Sequence, residues 1–110
     1  STVGDLFKWQ RALAENRLLT KEYQDRMFQV QVDFGRPYGL GFDVSELEFA
    51  GQKKRVVWHE GGASAIFFWA LDDDKLVILL NNFNGKNYKV SREIMNILYG
   101  GSSQTIASEK

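Results

Sequence analysis

Hydrophobic and polar positions change period as the chain proceeds. Leu6, Trp9 and Leu13, preceded by Val3, recur at helical spacing, while Lys8, Gln10, Arg11 and Glu15 fall mostly elsewhere on the wheel. This pattern predicts a helix over about residues 3–16. Thr2-Val3-Gly4-Asp5 fits a capping box at its start, in which a hydroxyl and a carboxylate satisfy backbone N–H groups. Asn16-Arg17-Leu18-Leu19 closes that helix, and Thr20 caps a short second one reaching about Phe28. The period then drops to two. Gln29-Val30-Gln31-Val32-Asp33 alternates polar and apolar, as a strand with one wet face does, and Gly35-Arg36-Pro37 breaks it. Tyr38 to Val44 alternates again, with Leu40, Phe42 and Val44 on one face. Gly39 and Gly41 lie on the other, where missing side chains leave room for close packing against the backbone.

Ala50-Gly51-Gln52-Lys53 reads as a turn, Arg55 to His59 as a strand and Ser64 to Leu71 as an aromatic-rich strand. Asp72-Asp73-Asp74 reads as a solvated turn tip. Leu76 to Leu80 is apolar at every position, the pattern of a strand buried on both faces, so the sheet needs cover on two sides. The chain offers its N-terminal helices and one C-terminal helix, Tyr88 to Tyr99, with Val90, Ile94, Ile97 and Leu98 as its stripe and Gly100 as its cap. Residues 100–110 read as a flexible tail, because Gly101 to Lys110 is polar and aperiodic. Short turns between strands imply antiparallel pairing. The expected class is α+β: an antiparallel sheet of four to five strands flanked by N-terminal helices and a C-terminal helix.

Composition removes several functions. The 110 residues suffice for one domain. Fourteen Lys and Arg balance 14 Asp and Glu, so no basic field exists to gather nucleic acid by counterion release. The absence of cysteine excludes disulfides, Fe–S centres, thiolate zinc sites and cysteine nucleophiles. A single histidine, His59, excludes a multi-histidine metal site within the chain, and no cofactor is expected. The longest apolar run, Leu76 to Leu80, is far short of the roughly 20 residues that span a bilayer. Ser1-Thr2-Val3-Gly4 has neither the basic nor the apolar part of a signal peptide, and no Met precedes it. The chain therefore reads as a segment of something longer.

Candidate chemistry centres on His59-Glu60-Gly61-Gly62. On pattern alone, Gly-Gly between two strands is a hairpin signal, and a lone histidine at a strand end is an ordinary surface residue. Histidine is also the residue type that exchanges protons near neutral pH, and Ser64 follows shortly after. A Ser–His pair needs a third, orienting group, and no G-x-S-x-G turn surrounds Ser64. No serine of the chain has Lys three positions later, and no Gly-rich phosphate loop occurs. The Asp72-Asp73-Asp74 run lacks the spacing and glycine of an EF-hand. Alternation places Phe67 and Trp69 on one face and Phe68 on the other, as core rather than stacking platforms.

Four blocks in order carry a resemblance. Ser1-Thr2-Val3-Gly4-Asp5-Leu6-Phe7-Lys8-Trp9 resembles an S-T-x-x-D-L-x-K-W segment, and Tyr38-Gly39-Leu40-Gly41-Phe42 a Y-G-L-G-[FW] strand. His59-Glu60-Gly61 is similar to an H-x-G motif, for which relatives carry K-T-G, and Leu76 to Asn82 to a following strand that ends L-x-N. These are blocks of the serine β-lactamase and penicillin-binding-protein family, in the branch of class C β-lactamases, D-amino-acid peptidases and esterases. The resemblance covers residues 1–99, as the C-terminal segment of such a domain.

The resemblance implies amide or ester hydrolysis through an acyl-serine intermediate in the parent protein. The nucleophilic serine of S-x-x-K, its lysine and a tyrosine of Y-x-N are expected before Ser1, in the N-terminal part of the same domain, which becomes the chain's partner. The 110 residues alone are then inactive. In this frame His59 is a catalytic or substrate-binding position, Gly61 lets substrate approach the strand, and the backbone N–H of Gly62 donates to the oxyanion. Glu60 departs from the pattern, since a small or hydroxyl residue is usual there. Its carboxylate would repel a substrate carboxylate, which favours an esterase-like role over β-lactams or D-Ala-terminated peptides. The substrate is expected to be a small ester or amide, and export or a periplasmic location follows by resemblance only. Two other readings are a degenerate binding or sensor domain of the same fold and an unrelated α+β interaction module.

Overall fold

The computed structural model describes residues 2–33, 35, 37–61, 65–81 and 86–101. They form helices α1 (Val3–Ala14) and α2 (Lys21–Met27), strands β1 (Val32–Asp33), β2 (Pro37–Tyr38), β3 (Asp43–Phe49), β4 (Gln52–Gly61), β5 (Ala65–Ala70) and β6 (Lys75–Leu80), and helix α3 (Asn87–Leu98). The strands make one antiparallel sheet in chain order, β1 to β6. The class is α+β, with six strands rather than four to five.

Helix ends follow the local chemistry. Thr2 Oγ1 accepts from the Asp5 N–H at 3.0 Å, and Thr20 Oγ1 from Tyr23 at 3.4 Å. At the end of α1, Asn16 takes φ of 56°, and the N–H groups of Asn16 and Arg17 return to the carbonyls of Leu13 and Ala12. This is a Schellman closure with asparagine in the left-handed position, and it stops the helix two residues before the expected end. Gly100, at φ of 90°, closes α3 in the same way, with Gly101 donating to the Asn96 carbonyl.

Because neighbouring strand residues point to opposite faces, the sheet is covered on both. Phe49, Val56, Ile66, Phe68, Ala70 and Val77 pack with Met95 of α3 on one face. Val44, Val57, Phe67 and Trp69 pack with Leu13, Phe28 and Phe42 on the other, beneath α1 and α2. Burying each large apolar side chain contributes about 1.5–3 kcal/mol, so the two clusters hold the layers together. Phe67 and Trp69 do share one face and Phe68 the other.

Three expectations need correction. Of Gln29 to Asp33, only Val32–Asp33 is strand, although the Gln31 N–H still donates to the Tyr38 carbonyl at 2.8 Å. Tyr38 to Val44 is not one strand. A Cβ on Gly39 would lie 2.5 Å from the Met27 carbonyl oxygen, and Gly41 takes φ of +93°. The chain presses against the end of α2 and bends, which turns Leu40 out to 57% exposure while Phe42 and Val44 stay buried. Finally, the contact face of α3 is Asn87, Ser91 and Met95, with Ile94, Tyr88 and Tyr99 beside it. Val90, Ile97 and Leu98 of the expected stripe face outward. Fully buried Ser91 lets the helix sit close to the sheet, and the Tyr88 and Tyr99 rings pack on Trp58 and Phe49.

Candidate functional site

The register of the central strands assembles the site. On β4, β5 and β6 the cross-strand rows are His59, Phe67 and Ile78, then Gly61, Ala65 and Leu80. Both rows face α1. Helix α1 lays Leu6 and Trp9 beside them, and the bend at Gly41 brings in Phe42. The result is a cavity of about 630 Å³ with His59 and Gly61 on its wall.

Three rings form much of that wall. Trp9 stacks on Phe42 with centroids 6.0 Å apart and meets Phe67 edge-on at 5.4 Å, while Phe42 and Phe67 lie 5.9 Å apart. Trp9 is 40% exposed, so one part of its ring belongs to the core contacts and another to the cavity. Among the described residues on the wall, the side chains other than His59 are apolar, with the Trp9 indole N–H as the other polar group, and none is Asp, Glu, Lys or Arg. Sequence pattern assigned Trp9 and Phe67 to the core. Their second role follows from the first half of α1 lying over the His59 row, a tertiary fact that no periodicity encodes.

The expected site residues separate on inspection. His59 and Gly61 come together, two positions apart and therefore on the same face. Among the described residues, a Cβ added to Gly61 would meet only Ala65, at 3.5 Å to its Cβ, which is ordinary contact. The space in front of Gly61 is thus cavity space rather than space the fold occupies. Glu60 is exposed, its row with Ile66 and Leu79 belongs to the α3 face, and although Ile66 touches the cavity Glu60 is not among the residues that line it. Gly62, the expected oxyanion donor, Ser64 and Asn82 lie outside the described residues. The final pair Gly61↔Ala65 shows that β4 and β5 form a hairpin, and its closing end is also the cavity rim.

A second cavity, of about 820 Å³, has a different character. Arg11, Lys21 and Arg55 line it, but Arg11 pairs with Asp74, Lys21 with Asp25 at 2.8 Å, and Arg55 Nη2 donates to the Phe28 carbonyl at 2.6 Å. Its cations are engaged with partners of the chain itself.

The Asp72-Asp73-Asp74 turn is more than a solvated tip. Asp74 accepts from Gln10 Nε2 at 2.8 Å, from Trp69 Nε1 at 3.2 Å and from Arg11. Asp73 accepts from Tyr99 Oη and pairs with Lys54, each at 2.8 Å. One turn therefore anchors α1 on one face and the end of α3 on the other. The Lys54 and Tyr99 hydrogen bonds hold the Asp73 carboxyl below the usual carboxylate range. Burial, followed by the bond to Asp73, pushes the Tyr99 phenol above its usual value.

Among the described residues no group of three or more His, Asp or Glu side chains is placed to hold a metal ion, and no helix is long and apolar enough to cross a membrane. Comparison with family models, with curated proteins and with solved structures finds no match for this chain.

Proposed function

We propose that the chain is the closing part of a serine β-lactamase-like hydrolase domain that cleaves a small ester or amide through an acyl-serine intermediate. The observation that carries this reading is that His59 and Gly61, the two outer positions of the H-x-G block, wall the same cavity on one sheet face. In the proposed reaction a serine preceding Ser1 attacks the substrate carbonyl and a lysine one helical turn after it takes the hydroxyl proton. The oxyanion collapses, the alcohol or amine leaves with a proton, and water then releases the acyl group. His59 contacts the substrate or the proton relay. The Gly62 N–H donates to the oxyanion, a contact whose loss costs roughly 10²–10³ in rate in enzymes generally.

The partner in this reading is the N-terminal part of the same domain. Two features support it. Strand β6 pairs with β5 alone among the described residues, and after Lys75 at its start it is uncharged from Leu76 to Leu80, where edge strands ordinarily carry more charge or a bulge. Beside it, α3 turns Val90, Ile97 and Leu98 outward. A further strand and helix would cover both.

Fluorophosphonate labelling of the longer protein tests the proposal. The expected result is one labelled serine with Lys three positions later, upstream of Ser1. Absence of any labelled serine removes the hydrolase reading and leaves a binding domain that uses the same cavity.

A further inference from the structure

We infer that the His59 cavity takes an uncharged, ring-bearing ester or amide group and rejects carboxylates. The inference rests on the proposed hydrolase reading for the word substrate, but its ligand chemistry comes from the wall itself. Trp9, Phe42 and Phe67 present ring faces and edges to one space, a surface that suits a flat apolar group. Among the described residues no Lys or Arg lines that space, so a carboxylate entering it would lose hydration with no fixed cation beside it. The His59 imidazole supplies a polar partner at the strand end, beside the apolar wall, which is the layout of a site that reads one carbonyl attached to a ring. Gly61 adds depth: among the described residues its Cβ position meets only Ala65, at 3.5 Å, so these residues leave space where a side chain would fit.

Two probes of matched shape test this on the 110-residue chain. Acetanilide is a neutral ring with one amide carbonyl, and 4-acetamidobenzoate adds only a carboxylate. In a two-dimensional NMR titration, acetanilide is expected to shift the Trp9 indole and the Gly41 and Gly61 amides saturably, with the Trp58 and Trp69 indoles unmoved. The carboxylate analogue is expected to bind roughly five-fold or more weakly, the cost of stripping water from an unpaired charge. Trp9→Leu, at a position 40% exposed, removes the ring while keeping an apolar side chain and should weaken acetanilide. Gly61→Ala should weaken it while leaving the fold intact. Equal or tighter binding of the carboxylate analogue overturns the inference, as does the absence of saturable shifts at Trp9 and Gly61. Shifts centred on the Arg11, Lys21 and Arg55 cavity overturn it too. The outcome is separable from the proposed function. Acetanilide binding without a labelled serine upstream keeps the ligand class and discards the hydrolase, and a labelled serine without acetanilide binding does the reverse.

Discussion

Gly39 and Gly61 both sit in strand-like sequence, yet a methyl group meets opposite surroundings at the two positions. At Gly39 it would lie 2.5 Å from one carbonyl oxygen and 2.9 Å from another, both backbone atoms that cannot yield cheaply. Gly39→Ala is expected to destabilise the chain by about 1–3 kcal/mol, the usual cost of overpacking, measured by urea unfolding. At Gly61 the neighbour is Ala65 at ordinary contact distance. Gly61→Ala is expected to leave stability unchanged or raise it by about 0.5 kcal/mol, since alanine loses less entropy than glycine on folding, while ligand uptake falls. Equal losses of stability in the two variants would contradict the claim that only Gly61 serves the cavity. Asp74 poses the matching question for polar groups. Asp74→Ala leaves Gln10, Arg11 and Trp69 donors without their acceptor, two of them on nearly buried residues, and is expected to cost about 1–3 kcal/mol. Asp72→Ala should be close to neutral in the same assay. The sequence shows three adjacent aspartates; the docking of α1 singles out Asp74, and Lys54 and Tyr99 single out Asp73.

Among the elements, legibility followed the strength of local signals. Thr2, Thr20 and Gly100 carry capping chemistry in the sequence, and α1, α2 and α3 begin or end where those residues stand. The uniform run Leu76 to Leu80 correctly asked for cover on both faces. The face of α3 was misread because Val90, Ile97 and Leu98 are as apolar as a buried stripe, while the buried line contains Asn87, Ser91 and Asn96. Asn96 earns its burial by accepting from the Ala50 N–H at 2.8 Å, a partner 46 residues away that no window contains. The site was half legible: the H-x-G block pointed to His59 and Gly61, but the aromatic wall depends on how α1 lies over the sheet. The junction of the β5–β6 turn with α3 should titrate. Asp73, held low by Lys54 and Tyr99, contributes stability above the ordinary carboxylate range, and that contribution is lost as pH falls through its lowered value. Tyr99, held high, contributes below the ordinary phenol range and loses that contribution as pH rises beyond it. Tyr99→Phe is expected to remove the alkaline decline and flatten the acid one in urea midpoints measured against pH. Superimposable profiles for the two proteins would contradict this.

Taken as a whole molecule, the described residues cover both faces of their sheet but leave the outer side of β6 unpaired and α3 with an apolar outer side. The 110 residues are expected to associate with rising concentration and to bind an apolar dye, as exposed apolar patches do. Ile97→Glu, at a position 53% exposed, should reduce both without unfolding the chain. A dilution-independent monomer without dye binding, seen by sedimentation, would count against an absent covering segment. In the function proposed above, this surface completes a hydrolase whose pocket is walled by His59 and Gly61. The most direct measurement is a crystal structure of the longer protein after fluorophosphonate labelling. The phosphonyl group is expected on an upstream serine, seated in the cavity beside His59 with its oxygen facing the backbone that follows Gly61. A phosphonylated serine seated away from that cavity, or a protein that takes up no label, would contradict it.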